Sequence, residues 1–168
     1  MVHTAAEDAA RLVGKYGTRD PFELAAETGA EVIFTDLGSL KGMYTYIQHN
    51  RFIVISNALD EATARIVCAH ELGHDQLHRA LVKDSFLQET MLYNMKNRTE
   101  YEANVFAAEL LLSDEDILRN AEEGMDIDTI AAVTETDVNL VALKLADLRR
   151  RGYELNWFDY RADFLKSR

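Results

Sequence analysis

The chain has little of three things that would direct a reading elsewhere. It contains 168 residues, yet only one cysteine and one proline, and its 18 basic residues are outnumbered by 29 acidic ones. With Cys68 alone no internal disulfide can form, so the chain is expected in a reducing, cytoplasmic setting. A formal net charge of −11 argues against nucleic-acid binding, whose affinity comes largely from neutralising phosphates. Arg149, Arg150 and Arg151 form the one evident basic run, and a solvated last helical turn explains them. No apolar stretch approaches the ~20 residues that a membrane helix needs. The acidic start from Met1 to Tyr16 does not read as a signal peptide. Repeats, low-complexity tracts and Pro/Ser-rich linkers are also missing, so a single domain over 1–168 is expected.

What is present is an ordinary globular mixture, 48% hydrophobic and 28% charged, long enough to bury a core. Ala5 to Tyr16 has helical spacing and stops at Gly17. Asp20 and Pro21 supply an N-cap and first helical residue for a short helix ending at Gly29. Glu31 to Leu37, Gly42 to Gln48 and Arg51 to Ser56 are rich in β-branched and aromatic residues and predict three strands. The second and third would form a hairpin across His49 and Asn50.

Ser56 or Asn57 is expected to cap a long helix with Asp60 and Glu61 in its first turn, ending near His78 to Leu81. A polar connection follows to about Arg98, in which Phe86 to Tyr93 could form a helical turn of its own. A further helix is expected from Thr99, as its cap, to Leu112. Asp114 to Ala121, Ile127 to Val133 and Val138 to Arg150 predict three more helices. The turn Thr134 to Asp137 between the last two has helix-turn-helix length. Tyr153 to Phe164 is an aromatic tail. The expected class is α+β: a small three-stranded sheet beside a helical bundle, with a core at about 20–112, a helix-turn-helix-like part at 113–151 and the tail at 152–168.

The chemistry is concentrated in His70-Glu71-Leu72-Gly73-His74, an H-E-x-x-H pattern that arises by chance in roughly 1% of such chains. Four residues apart on a helix, the two imidazoles lie about 40° apart around the axis and can reach one ion. Glu71 lies about 100° round from His70, beside a metal rather than in its shell. A divalent ion so held lowers the pKa of water, and a neighbouring carboxylate can take the proton as general base. Gly73 sits where a bulkier residue would crowd the metal. Such a site needs a third ligand. Cys68 lies about 200° from His70 and reads as a small buried thiol. On the next strong helix Glu100 is preferred, because Asn104 one turn later could then orient an imidazole. Glu102 is the reserve and Glu109 more distant.

These residues, His70-Glu-Leu-Gly-His74 with Leu77-His78 and then Glu100-x-x-Ala103-Asn104-x-Phe106-Ala107-Ala108-Glu109-Leu110-Leu111, resemble the ImmA/IrrE family of metallopeptidases, over about Asp20 to Arg151. The resemblance implies a zincin-like core, zinc held by His70, His74 and Glu100, and Glu71 as base. It also implies an endopeptidase that cuts a bacterial regulatory protein, often a helix-turn-helix repressor, in mobile elements and stress responses. One departure is that family members often follow Leu-Leu with Met-Pro, whereas here Leu111-Leu112-Ser113 follows.

His78 is open between a catalytic role, binding substrate or stabilising an oxyanion, and a buried residue capping the helix. Tyr93 and Tyr101 are possible oxyanion donors, and His3 and His49 read as surface residues. The competing reading is a regulatory module that kept the fold and metal but binds a partner without cutting it. A DNA-binding regulator ranks third.

Overall fold

The structure, a computed structural model, describes residues 4–83 and 88–154. Helix α1 (Ala5–Tyr16) opens on a capping box, in which the Glu7 N–H donates to Thr4 Oγ1 and the Thr4 N–H to the Glu7 carboxylate. It closes on Gly17, whose φ of 71° suits glycine. Helix α2 (Pro21–Thr28) starts as expected from Asp20, which accepts from the Phe22 and Glu23 N–H groups, and ends at Gly29.

Three strands follow: β1 (Glu31–Thr35), β2 (Gly42–Ile47) and β3 (Asn50–Ser56). Their order is β1-β3-β2, with β1 parallel and β2 antiparallel to the central β3. Ile53 and Ile55 of β3 are fully buried, while Phe52 and Val54, which alternate with them along the strand, are half-buried. That is the period-two signature of a sheet covered on one face. The β2–β3 turn is centred on Gln48 and His49, one residue earlier than the spacing suggested. Their φ values of 48° and 68° are those of the turn that matches strand twist in two-residue hairpins. His49 is exposed, as expected.

Helix α3 (Glu61–Leu77) lies beneath this sheet. Its N-cap is Asp60, not Ser56 or Asn57: the Asp60 carboxylate accepts from the Thr63 N–H and hydroxyl. Ser56 is instead the last residue of β3, with its N–H donated to the Lys41 carbonyl. After the short α4 (Arg79–Lys83), helix α5 (Gln88–Leu111) begins well before Thr99, which is an interior residue and not a cap. The expected turn at Phe86 to Tyr93 falls partly outside the described residues and partly within α5. Helices α6 (Asp114–Glu122), α7 (Ile127–Val133) and α8 (Val138–Arg150) follow the expected segments closely. His3, the Tyr93 side chain and the aromatic segment beyond Glu154 lie outside the described residues.

One buried apolar cluster ties these parts together. Leu24, Ile53, Ile55, Leu72, Phe106, Ile130 and Leu148 are all fully buried in it. α3 and α5 form its most extensive helix–helix contact, and that pairing positions the chemistry.

Candidate metal centre

His70 and His74 lie one turn apart on α3, on the side that meets α5. Their Nε2 atoms are 3.1 Å apart. Glu100, from α5, closes the triangle: its carboxylate oxygens lie 3.2 Å from His70 Nε2 and 3.5 Å from His74 Nε2. These three residues are the group among the described residues whose donor atoms converge closely enough to hold a metal ion. A tetrahedral ion with ligand bonds of 2.0–2.1 Å has donor–donor edges of about 3.3 Å. The observed edges fit that figure, so the donor set suits zinc or a similar cation without rearrangement.

The rest of the environment favours neutral imidazole ligands. His70 Nδ1 is 2.9 Å from Asn104 Oδ1. An amide oxygen only accepts, so His70 donates from Nδ1 and keeps a lone pair on Nε2. Burial, followed by the nearby His70 and His78, pushes the His74 pKa down to about 3.

Glu71 is buried beside this triangle. Burial and then the negative charge of Glu100 push its carboxyl up to about 7, against an opposing hydrogen bond from the Tyr44 backbone. β2 passes close over it. A Cβ added at Gly42 would stand 2.4 Å from Val67 Cγ1 and 3.4 Å from Glu71 Cγ, so only glycine lets the strand approach so near.

The remaining candidates go elsewhere. Glu102 turns away from the triangle to accept from Arg98 Nε at 2.8 Å and pair with His78 Nε2 at 3.1 Å. Burial would raise its carboxyl, but these two partners hold it below the usual carboxylate range. Glu109 is buried against Lys144, and the fully buried Asp75 is gripped by Arg51 and Arg79. Cys68 is fully buried, and desolvation, then the charges of Asp20 and Glu71, push its thiol up to about 12. Tyr101 is exposed and lines a separate hollow with Arg98 and Glu102. Arg150 and Arg151 are paired with Asp147 and Asp114.

Gly73 does not face the ion position. A Cβ there would meet the Ala103 backbone at 3.1 Å, so the crowding that glycine avoids is between helices.

A cleft of about 770 Å³ opens onto His70, Glu71 and Asn104. One wall is α3, through Thr63, Ile66 and Val67; the other is the α7–α8 turn, through Ala131, Glu135, Thr136 and Leu140. Sequence reasoning gives the helical segment around Asp126 to Arg151 a part in recognising a partner, but does not place it as a wall of this cleft. The one local signal was the short polar turn itself, where Glu135 has a φ of 50°.

Comparison with known proteins bears on the same region. The family profile Peptidase M78, described as the IrrE N-terminal-like domain, matches residues 25–146. The chain is 38% identical over 141 residues to "Uncharacterized immunity region protein 2" of Bacillus phage phi105, covering 83% of this chain and 88% of that protein. It is 30% identical over 108 residues to metallopeptidase ImmA of Bacillus subtilis strain 168, covering 61% of this chain and 60% of that protein. Among solved structures, a Mycobacterium tuberculosis transcriptional regulator aligns with a TM-score of 0.63 at 17% identity, over 90% of this chain. The chain spans about half, 49%, of that structure's length, and the likeness is one of fold.

Proposed function

The chain belongs to the Peptidase M78 family of IrrE N-terminal-like domains, and from that premise we propose a zinc-dependent endopeptidase that cuts a specific bacterial regulatory protein, a helix-turn-helix repressor. The observation that carries this reading is the triangle of His70 Nε2, His74 Nε2 and the Glu100 carboxylate with Glu71 buried beside it. The likeness to an immunity-region protein and to metallopeptidase ImmA supports a partner of the repressor type.

In the proposed mechanism His70, His74 and Glu100 hold the ion, and Asn104 fixes the His70 ring. When bound, zinc supplies Lewis acidity, polarising the scissile carbonyl and acidifying water. Glu71 receives the proton of the attacking water and delivers it to the leaving amine. The cleft between α3 and the α7–α8 turn would receive the peptide, which gives the helix-turn-helix-like segment a part in substrate recognition. We treat 1–168 as one peptidase unit in which 113–151 serves the site. No described helix is long and apolar enough to cross a membrane, and the net charge of −11 disfavours duplex DNA as the partner.

The test is to load the protein with one zinc per chain and incubate it with purified bacterial helix-turn-helix repressors, looking for a discrete cut by mass spectrometry. Glu71→Gln should retain zinc and fold but abolish the cut. A metal-loaded wild type that binds a repressor tightly and leaves it intact would favour the non-cleaving regulatory module.

A further inference from the structure

His78 stands at the end of α3 as its C-cap and is buried, with 6% of its surface exposed. It lies outside the lining of the cleft that reaches His70 and Glu71. Its ring bridges two other side chains instead. Nδ1 is 3.0 Å from His74 Nδ1, and Nε2 is 3.1 Å from Glu102 Oε2. Glu102 is anchored in turn by Arg98.

The chemistry of these groups determines where the protons sit. An ionised carboxylate only accepts hydrogen bonds, so His78 donates from Nε2 to Glu102. A neutral imidazole protonated at Nε2 offers a lone pair at Nδ1. With His78 neutral, the proton between the two Nδ1 atoms belongs to His74, which donates it to His78. His74 Nε2 is left bare, aimed at His70 Nε2 and Glu100. Asn104 imposes the same state on His70, so two lone pairs and a carboxylate face one another, an arrangement that a cation would satisfy.

We infer that His78 and Glu102 are positioning residues for the metal centre: a relay that runs from the exposed Arg98 through Glu102 to the buried His78 and locks His74 in the tautomer and ring orientation needed to bind a cation through Nε2. This rests on the metal-site reading above and extends it to residues outside the ion's shell. It also assigns Glu102 a role different from the ligand role for which it was the reserve. Partners of this kind typically contribute tenfold to a hundredfold in metal affinity.

The test is zinc affinity of the full chain, measured by competition with a chromophoric chelator on wild type, His78→Ala, Glu102→Ala and the double variant. Each single change should weaken zinc binding by about tenfold to a hundredfold. The double variant should be little worse than His78→Ala, because one broken link already disables the relay. Glu102 is partly exposed, so Glu102→Ala serves should His78→Ala fold poorly, and thermal melts of the zinc-free proteins separate lost affinity from lost structure. Ring ¹⁵N shifts supply a second readout: His74 should carry its proton on Nδ1 in wild type and become a tautomer mixture in His78→Ala. Wild type that binds one zinc while both variants bind it equally well would overturn the relay and leave the metal site standing. Wild type that takes up no zinc would overturn both together.

Discussion

Gly73 and Ala103 meet without an intervening side chain: a Cβ added at Gly73 would lie 3.1 Å from Ala103 Cα and 3.2 Å from its carbonyl oxygen. This contact draws α5 onto α3 and brings Glu100, just before Ala103 on α5, across from the two imidazoles. The distances within the triangle thus depend on a residue that supplies no donor atom to it.

Gly73→Ala should therefore weaken zinc binding and lower stability. Alanine gains about 1 kcal/mol of helix propensity over glycine, but overpacking a tight contact costs about 1–3 kcal/mol. The opposing atoms are mainly backbone, so they cannot rotate away, and the net expectation is a loss of up to about 2 kcal/mol. Urea melts of the zinc-free protein and a zinc titration measure the two effects. Unchanged values in both would show that the helices part freely there.

Glu100 and Glu102 should separate cleanly in metal content. Glu100 lies within 3.5 Å of both imidazole Nε2 atoms, whereas Glu102 is bonded to Arg98 and His78. Elemental analysis after purification without chelators should find zinc lost from Glu100→Ala and largely retained by Glu102→Ala, whose affinity is weakened but not abolished. The reverse order would exchange the two roles.

The sequence disclosed most where the signal was local. Asp20 before Pro21, the glycines closing α1 and α2, the three strands and the H-E-x-x-H helix all depend on residues a few positions apart. It misled where two local signals competed. Ser56 and Asn57 were as good a cap as Asp60, yet Ser56 was claimed by β3. Thr99 resembled a cap but lies inside α5. Long-range pairing stayed illegible for a different reason. The parallel register of β1 on β3, the approach of Gly73 to Ala103 and the bond from His78 to Glu102, 24 residues away, arise only when distant segments pack. For that reason helix spacing could single out Glu100 beside His70 and His74, whose donor atoms do lie together, while the contact of His78 with Glu102 could not be anticipated.

The buried Lys144 should tolerate a paired exchange far better than a single one. It is 1% exposed and contacts Glu109 and Asp114, each at 2.5 Å, linking α5 and α6 to α8. Lys144→Ala leaves Glu109 buried without its cation, a situation that typically costs about 3–5 kcal/mol. Combining Lys144→Met with Glu109→Leu removes both charges and fills the space, so it should cost much less than either change alone. Urea denaturation of the two singles and the double measures this; simple additivity would rule the charge explanation out.

Asp114 gives the same cluster a pH signature. Burial would raise its carboxyl, but hydrogen bonds from Arg151 and Lys144, and their charges, hold it at about 2, below its ordinary 3.8. A depressed folded pKa means that the folded state prefers the ionised form. The contribution is complete above the unfolded value near 3.8 and is lost as pH falls through about 2. Asp114 is a third exposed, so after solvent screening its contribution is about 1 kcal/mol. Wild type and Asp114→Asn should differ by this amount in urea melts at pH 6. The gap should narrow between about pH 4 and pH 2, where the wild-type carboxyl takes up its proton and comes to resemble the amide. Were the gap instead constant across that window, the variant's cost would come from altered packing around Arg151 and not from the charge that Asp114 carries.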